Sequence, residues 1–214
     1  MHLIKLKRLQ RGFFIVFEGL DGSGKTTQAF LLKEFLVKKG YDAILLREPT
    51  EGPWGGEIKE LLSNGRKEIS PQEELNLFIE DRKDNINKNV LPAMRDNKVI
   101  IQDRYYFSTI AYQGALGVEP QQIRAMNEAF ALKPDLVFYL EIRPELGLKR
   151  IEAGRKGKRD AFEKEHYLSK VKEIFDSCND PFIKKINGSR SLDSIQKNIN
   201  EITIEKLSLL TANI

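Results

Sequence analysis

Short apolar runs alternate with amphipathic segments along most of this chain of 214 residues. Five of the runs have the length and the apolar content of buried strands. They are Phe13–Phe17, Ala43–Arg47, Lys98–Gln102, Asp135–Leu140 and Pro181–Ile186. Strands that alternate with helices predict the α/β class, with a five-stranded, mostly parallel sheet that helices cover on both faces.

The helices are predicted from apolar positions at helical spacing and from start and stop signals. Thr27–Lys39 has its apolar residues on one face and stops at Gly40. Ser70-Pro71-Gln72-Glu73 is a strong helix start, with Ser as the N-cap and Pro at the first helical position, and this helix is predicted to continue beyond Arg82. The other predicted helices are Ser108–Tyr112, Pro120–Ala131, Pro144–Ala153, Ala161–Asp176 and Leu192–Leu207.

A glycine-rich loop follows the first strand. Its residues, Gly19-Leu20-Asp21-Gly22-Ser23-Gly24-Lys25-Thr26, fit the pattern G-x-x-x-x-G-K-[ST]. A strand before the loop and a helix after it point backbone N–H groups at one polyphosphate. Lys25 is expected to reach the β- and γ-phosphates, and the Thr26 hydroxyl to ligate Mg²⁺. The alternative is a glycine-rich turn without a ligand, but the flanking elements favour a nucleoside triphosphate site.

Composition and charge narrow the choice of function. With 41% hydrophobic and 31% charged residues, we expect an ordinary globular protein without a signal peptide or a membrane span. The single cysteine, Cys178, favours a reducing compartment, so the cytoplasm is the expected location. The net charge of +4 raises the alternative of nucleic-acid binding. Lysines are spread over helix faces, however, and the basic cluster Arg155–Arg159 has a triphosphate as its simpler partner, so we expect no nucleic-acid partner.

Polar residues that follow the strands are expected to meet at one edge of the sheet, because ligands of parallel sheets bind beyond the carboxyl ends of the strands. These groups are Glu18–Thr26, Arg47-Glu48-Pro49, Asp103-Arg104 and Glu141–Arg143. We expect Asp103 and Arg104 to lie beside the glycine loop. Asp103 is interpreted as the acid that supports Mg²⁺, with a helix N-cap as a compatible alternative. Arg104 would be repelled by Lys25 unless a second anion bound there, so it indicates an acceptor that already carries a phosphate.

The segment Asp103-Arg104-Tyr105-Tyr106-Phe107-Ser108-Thr109-Ile110-Ala111-Tyr112-Gln113 resembles the acceptor signature of thymidylate kinases, D-R-Y/H-x-x-S-x-x-A-Y-Q. Three further segments resemble the family in the same order and spacing: Phe13–Thr27, Leu46–Pro49, and Pro134–Leu140 with Pro144–Arg150. The match covers roughly residues 13 to 200. It implies a three-layer P-loop kinase fold, in which residues 13–214 form a single kinase domain with a short lid at about 154–160. Residues 1–12 would be an N-terminal extension.

The resemblance also implies a reaction, the transfer of the γ-phosphate of ATP to dTMP to give dTDP and ADP in dTTP biosynthesis. Mg²⁺ is the implied cofactor, and a homodimer the implied assembly. Thr27 and Arg150 join the glycine loop as implied ATP contacts. The alternatives are a nucleoside kinase, against which Arg104 and Arg82 argue, and a GTP-binding switch. Such switches commonly carry an Asn-Lys-x-Asp motif, and the nearest match, Asn97-Lys98-Val99-Ile100, lacks the final acid.

Several acceptor contacts follow from the same resemblance. Phe78, which on its own would be interpreted as a core residue, corresponds to the ring that stacks on thymine, and Arg82 to the donor on thymine O4. Tyr112 corresponds to the ring that crowds the 2′ position of the sugar. Asp21 corresponds to a carboxylate near the sugar 3′-hydroxyl and the phosphates, and Arg104 to the arginine on the acceptor phosphate. The remaining implied contacts are Arg47, Glu48, Pro49, Ser108, Thr109 and Gln113.

Two features depart from the family pattern. Many bacterial members read Arg-Glu-Pro-Gly-Gly-Thr, whereas this chain reads Arg47-Glu48-Pro49-Thr50-Glu51-Gly52. The family also carries its catalytic arginine either in the phosphate loop or in the lid, and the loop here offers none. We therefore expect Arg155 or Arg159 in the lid to supply the charge, with Lys156 and Lys158 as weaker candidates. The alternative for this segment is a solvated basic turn.

Overall fold

A central parallel sheet organises the protein in the computed structural model, which describes residues 7–66, 69–152 and 161–211. The strands are β1 (Phe13–Gly19), β2 (Ala43–Arg47), β3 (Val99–Asp103), β4 (Leu136–Glu141) and β5 (Ile183–Asn187), and they lie in the order β2-β3-β1-β4-β5. Every strand pair in this sheet is parallel. The predicted five-stranded sheet is therefore confirmed, and its strand bounds differ from the predicted ones by no more than two residues.

Both faces of the sheet are covered, because alternate residues of β1 enter two separate hydrophobic cores. Phe14 and Val16 pack with helices that follow β2, β3 and β4. Phe13, Ile15 and Phe17 pack on the opposite face with the first and last helices of the described chain. This arrangement of helices, sheet and helices confirms the predicted three-layer α/β architecture.

Helices connect the strands in the predicted order. Their bounds are α1 (Lys25–Lys38), α2 (Pro53–Ser63), α3 (Pro71–Asn85), α4 (Leu91–Arg95), α5 (Tyr106–Ala115), α6 (Pro120–Glu128), α7 (Pro144–Glu152), α8 (Ala161–Ser177) and α9 (Leu192–Ser208), with one π-helical turn at Ile86–Val90 between α3 and α4. The predicted start of α3 is confirmed, since the Ser70 hydroxyl accepts the Glu73 N–H and the Glu73 carboxylate accepts the Ser70 N–H.

Two helices were not predicted. Helix α2 begins directly after the Thr50–Gly52 segment and contains Gly55 and Gly56, which disfavour a helix in isolation. A Cβ atom on Gly55 would lie only 2.1 Å from the Thr50 carbonyl oxygen, so the glycine allows the helix to pack closely on that segment. Helix α4 contains Pro92, which has no N–H to donate, and the π-helical turn lies just before it.

Residues before the first strand also contact the body of the protein. The Lys7 N–H donates to the Gly40 carbonyl oxygen at 2.8 Å, and Leu9 forms a β-bridge with Thr211. Leu9 is buried in the same core as helices α1 and α9. Among the described helices, none combines the length and the apolar character that crossing a membrane requires.

Candidate active site

The glycine loop joins the carboxyl end of β1 to the amino end of α1. Gly19, Gly22 and Gly24 all have positive φ angles, which glycine adopts without strain and which turn the chain sharply. Within the described helix α1, no side chain caps the first turn, and that turn contains no acidic residue. Its N–H groups are thus left for an external anion, as the predicted polyphosphate site requires.

Lys25 is buried at the start of α1, with only 5% of its surface exposed. Its Nζ donates to the Leu20 carbonyl oxygen at 3.2 Å and lies 3.7 Å from Asp21 Oδ1. Burial, followed by repulsion from Arg104, lowers the pKa of Lys25 to about 8. A buried ammonium beside a second cation is suited to an anionic ligand with several charges.

Thr26 and Asp103 face each other where α1 and β3 meet. The Thr26 hydroxyl donates to Asp103 Oδ2 at 2.6 Å. The other carboxylate oxygen, Oδ1, is buried and has no hydrogen-bond partner among the described residues. The alternative of Asp103 as a helix N-cap receives no support, because Tyr105 is the N-cap of α5. A hydroxyl oxygen and a buried carboxylate oxygen without a partner fit the oxygen ligands that Mg²⁺ prefers.

A cavity of about 520 Å³ opens beside the glycine loop. Every residue predicted to contact the acceptor lines it: Arg47, Glu48, Pro49, Phe78, Arg82, Arg104, Ser108, Thr109, Tyr112 and Gln113. The wall also contains residues for which no acceptor role was predicted: Glu51, Lys59, Leu62, Arg66 and Tyr105. Phe78 is half-buried, and it lines the cavity.

Arg104 connects this cavity to the glycine loop. The register of the sheet places Phe17 of β1 opposite Asp103, so the Asp103-Arg104 pair lies beside the loop as predicted. Arg104 has a φ of 70°, a left-handed conformation that is uncommon outside glycine. Its guanidinium lies 5.2 Å from the centre of the Tyr112 ring, donates to Ser108 Oγ at 2.9 Å, and donates to the Asp21 carboxylate.

Tyr112 also contacts both the cavity and the glycine loop. Its ring lines the cavity, and its hydroxyl accepts the N–H of Asp21 in the glycine loop at 3.1 Å. Burial raises the pKa of Tyr112 to about 12, so the hydroxyl stays protonated at neutral pH. The ring that the resemblance places near the sugar is therefore fixed to the backbone of the triphosphate loop.

Arg82 is completely enclosed in a polar network. It donates from Nε and Nη2 to Glu48 Oε2 at 2.9 and 2.7 Å, from Nη1 to Asn127 at 2.5 Å, and from Nη2 to Thr109 at 3.0 Å. These four bonds leave one of the five N–H groups of a guanidinium for a ligand. Burial raises the pKa of Glu48 although Arg82 is adjacent. The network fixes the direction from which Arg82 can reach the cavity.

The segment that departs from the family pattern is fixed by Asp81, a buried residue of α3 that was not predicted as functional. Asp81 Oδ2 accepts the Thr50 N–H at 3.0 Å, and Oδ1 accepts the Thr50 hydroxyl at 2.5 Å. The same hydroxyl oxygen accepts the Gly52 N–H at 3.0 Å. Thr50 thus orders the turn between Pro49 and α2, both of which border the cavity.

Glu18 was grouped with the crevice residues but was given no role. It is 1% exposed, and its carboxylate accepts the N–H groups of Tyr105 and Ser108 and the Ser108 hydroxyl. Burial raises the pKa of Glu18 to about 7. A signal was present in the sequence, since Glu18 is the only charged residue in the strand Phe13–Gly19.

Arg150 of α7 lies at the far side of the glycine loop. It donates from Nη1 to the Gly22 carbonyl oxygen at 3.2 Å and from Nη2 to the Gly188 carbonyl oxygen at 3.0 Å. Arg150 thus lies beside the loop, and its contact to the triphosphate stays a prediction. The predicted lid, residues 154–160, and its arginines Arg155 and Arg159 lie outside the described residues.

Comparison with known proteins agrees with this geometry. The family model described as thymidylate kinase matches residues 17–199. A thymidylate kinase of Desulfotalea psychrophila is 44% identical over 188 residues, which are 88% of this chain and 92% of that protein. A probable thymidylate kinase of Archaeoglobus fulgidus is 39% identical over 91% of this chain and 96% of its own length, and a thymidylate kinase of Brachyspira hyodysenteriae is 42% identical over 86% and 90%. The chain belongs to the thymidylate kinase family.

Proposed function

We propose that the protein transfers the γ-phosphate of ATP to dTMP and releases dTDP and ADP. The observation that carries this proposal is a single cavity, beside the glycine loop, in which all the expected acceptor residues meet. Arg104, bonded both to Asp21 of the loop and to Ser108 of the cavity, lies where the two substrates would come together.

The proposed reaction needs positioning and charge neutralisation more than proton transfer. An oxygen of the dTMP phosphate forms a bond to the γ-phosphorus of ATP, and the bond from that phosphorus to the β–γ bridging oxygen breaks. The electron pair of the broken bond stays on the ADP oxygen. Because a phosphate monoester has its second pKa near ~6, the attacking oxygen carries no proton at neutral pH and needs no general base.

Different side chains of the crevice would position the two substrates, ATP and dTMP. In our proposal, the glycine loop and Lys25 hold the β- and γ-phosphates, and Arg104 holds the acceptor phosphate with the planar grip of a guanidinium. Asp21, now paired with both cations, would turn to the sugar 3′-hydroxyl once phosphates replace it. Phe78 would stack on the thymine, the free N–H of Arg82 would meet O4, and Tyr112 would exclude a 2′-hydroxyl.

Thr26 and Asp103 are the residues that would hold Mg²⁺. Asp103 Oδ1, which has no partner among the described residues, and the adjacent Thr26 hydroxyl would supply oxygen ligands of the type this ion prefers. When bound, Mg²⁺ would neutralise part of the charge of the triphosphate.

The same proposal covers the organisation of the protein. We infer a cytoplasmic homodimer, in which residues 13–214 form one kinase domain with a lid at about 154–160. Residues 1–12 would be an extension of that domain. These inferences are supported by membership of the family and by the single cysteine, Cys178, which is buried and unpaired.

A screen of acceptors tests the proposed reaction. The common nucleoside monophosphates and the nucleoside thymidine are each incubated with ATP, Mg²⁺ and the protein, and ADP formation is measured. We expect dTMP to give the highest kcat/KM and thymidine to give none above background. Efficient phosphorylation of thymidine would indicate a nucleoside kinase instead. Slow ATP or GTP hydrolysis that no acceptor accelerates would indicate a regulatory switch.

A further inference from the structure

Glu18 caps a helix that belongs to another part of the chain. Helix α5 begins at Tyr106, and its N-cap residue, Tyr105, provides no side-chain cap. Glu18 Oε1 instead accepts the Tyr105 N–H at 2.8 Å and the Ser108 N–H at 3.1 Å. A carboxylate at this end of a helix is also favoured by the helix dipole. The first turn of α5 is thereby attached to the end of β1, next to the glycine loop.

The second oxygen of Glu18 determines how the Ser108 hydroxyl is oriented. A serine hydroxyl has one proton and two lone pairs. When Glu18 is ionised, the proton is donated to Glu18 Oε2, so the hydroxyl oxygen faces Arg104 only as an acceptor. Arg104 Nη1 donates to it at 2.9 Å. The carboxylate, the hydroxyl and the guanidinium thus form one chain of hydrogen bonds with a fixed direction.

The contact with Ser108 differs from the other contact of Arg104. The Arg104 backbone is fixed at both ends, because its N–H donates to the Phe17 carbonyl oxygen and its own carbonyl oxygen accepts from Gln102. Asp21, which pairs with Nη2, has a side chain that is 53% exposed and that an incoming phosphate can displace. Ser108 and Glu18 are both buried, so their contact remains when the ligand binds.

We propose that Glu18 is a positioning residue for the acceptor phosphate. By keeping the Ser108 hydroxyl as an acceptor toward Arg104, it directs the guanidinium so that its other N–H groups face the phosphate. This inference rests on the proposed role of Arg104 as the arginine that binds the acceptor phosphate. Glu18 does not line the cavity, so in this proposal it acts through Ser108 and Arg104 rather than on a substrate.

The substitution Glu18→Gln tests the inference with little change in shape. Its amide oxygen still accepts the two backbone N–H groups, but its NH₂ group donates to Ser108, whose proton then has to turn elsewhere. Dissociation constants for dTMP and for thymidine are measured by calorimetry. The dissociation constant of thymidine divided by that of dTMP gives the contribution of the phosphate to binding. We expect E18Q to reduce this ratio by about tenfold, the scale of a lost charge-assisted contact, while thymidine binding changes less than about twofold.

Glu74 provides a matched control, because it bonds to two residues of the cavity wall, Arg66 and Gln113. It is 2% exposed, and its carboxylate accepts from Gln113 and from Arg66. Glu74→Gln should therefore alter the binding of dTMP and thymidine alike and leave their ratio unchanged. A loss of the ratio in E74Q as large as in E18Q would overturn the inference, because any buried glutamate would then have the same effect.

Arg104→Ala separates this inference from the proposed function. If R104A keeps the ratio, the assignment of Arg104 to the phosphate is wrong and the inference fails with it. If R104A lowers the ratio but E18Q leaves it unchanged, only the role of Glu18 is wrong. The same conclusion holds if E18Q weakens the binding of dTMP and of thymidine equally. Should E18Q not fold, Ser108→Ala breaks the same chain and leaves Glu18 its two backbone partners. An unchanged ratio in S108A would then overturn the inference.

Discussion

At the scale of single residues, two cations of the crevice, Lys25 and Arg104, lie close together because they share one carboxylate. Lys25 Nζ lies 3.7 Å from Asp21 Oδ1, and Arg104 donates to the same oxygen. Two buried cations without a counter-charge would be strongly unfavourable, and Asp21 offsets part of that repulsion. Burial, followed by the repulsion from Arg104, still lowers the pKa of Lys25 to about 8. Phosphates that enter the crevice can therefore replace Asp21 as the counter-charge of Lys25 and Arg104.

The protonation of Lys25 should make ATP binding depend on pH in a defined direction. Above its pKa of about 8, Lys25 is increasingly neutral in the free protein, whereas a bound triphosphate favours the charged form and raises the pKa. Binding must then take up a proton, so the dissociation constant of ATP should rise by up to about tenfold per pH unit above pH 8. Calorimetry at about pH 8.5 in buffers of different ionisation enthalpy measures this uptake.

Lys25→Arg is the matched control for this measurement, because a guanidinium keeps its charge throughout the range. Its ATP affinity should vary little between about pH 8 and pH 9.5, and it should take up no proton. The ionisation of ATP itself is complete in this range, and Tyr112, with a pKa of about 12, does not titrate. An ATP affinity of the unsubstituted protein that does not change over the same interval would contradict the assignment of Lys25 to the triphosphate.

At the scale of elements, close packing of α7 on the glycine loop sets the shape of the triphosphate site. A Cβ atom on Gly147 of α7 would lie 2.6 Å from the Asp21 carbonyl oxygen, and one on Gly22 would lie 2.4 Å from the Gly147 carbonyl oxygen. The two backbones touch because neither residue carries a side chain. Arg150, one turn later on α7, then reaches the Gly22 carbonyl oxygen.

Gly147→Ala should separate the helix from the loop. A methyl group favours a helix over glycine by about 0.5–1 kcal/mol, but overpacking against a backbone oxygen costs about 1–3 kcal/mol. We expect a lower unfolding midpoint and an ATP dissociation constant raised by about tenfold, the equivalent of about 1.4 kcal/mol. Gly56→Ala in α2 is the control, because its Cβ would enter open space, and it should stabilise the protein. Equal stabilisation by both substitutions would contradict this account of the packing.

Elements with a local signal were predicted correctly, whereas those that depend on distant contacts were not. The glycine loop and the capping box of α3 are read from a few adjacent residues. Helix α2, by contrast, forms where Gly55 packs on Thr50. It was not predicted, because its two glycines disfavour a helix in isolation. The partners of Glu18 lie 87 and 90 residues away, so its position in a strand was visible but its function was not.

The hydrogen-bond partners of Arg82 were also not predicted from the sequence. Its spacing from Phe78 indicated a donor beside an aromatic ring, and both residues do line the cavity. No pattern along the chain indicated that Glu48, Thr109 and Asn127 occupy most of its N–H groups, because these partners lie 27 to 45 residues away. Patterns along the chain indicated residues that line one cavity, but only the folded structure shows which donors remain for a ligand.

At the scale of the whole molecule, the sheet order explains why donor and acceptor sites are neighbours. β1 lies between β3 and β4, so the loops that leave β1 and β3 meet at one edge. Three cations approach the glycine loop from different elements: Lys25, Arg104 and Arg150. Of these, Arg104 is paired with Asp21, and Arg150 donates to two carbonyl oxygens. Arg47 is a further arginine at this edge, and its Nε lies 3.9 Å from Asp103 Oδ2. The charge that develops on the transferring group thus calls for a further cation at closure.

The lid arginines are the residues we expect to supply that cation. An arginine that engages only in the closed transition state should affect kcat far more than the affinity for ATP. Either Arg155→Ala or Arg159→Ala should therefore reduce kcat by about 10²-fold or more, while the dissociation constant of ATP changes by less than about tenfold.

Steady-state kinetics with dTMP and direct titration of ATP onto each variant measure the two effects separately. Arg95→Ala is the control, because this exposed arginine ends α4 before the amino end of β3, opposite the crevice, and kcat should not change. If Arg155→Ala, Arg159→Ala and the double variant all keep a normal kcat, the lid does not provide the charge. Arg47 and Arg150, which already lie at the crevice, would then be the next arginines to test, because their release from Asp103 and Gly22 could bring a guanidinium to the γ-phosphate.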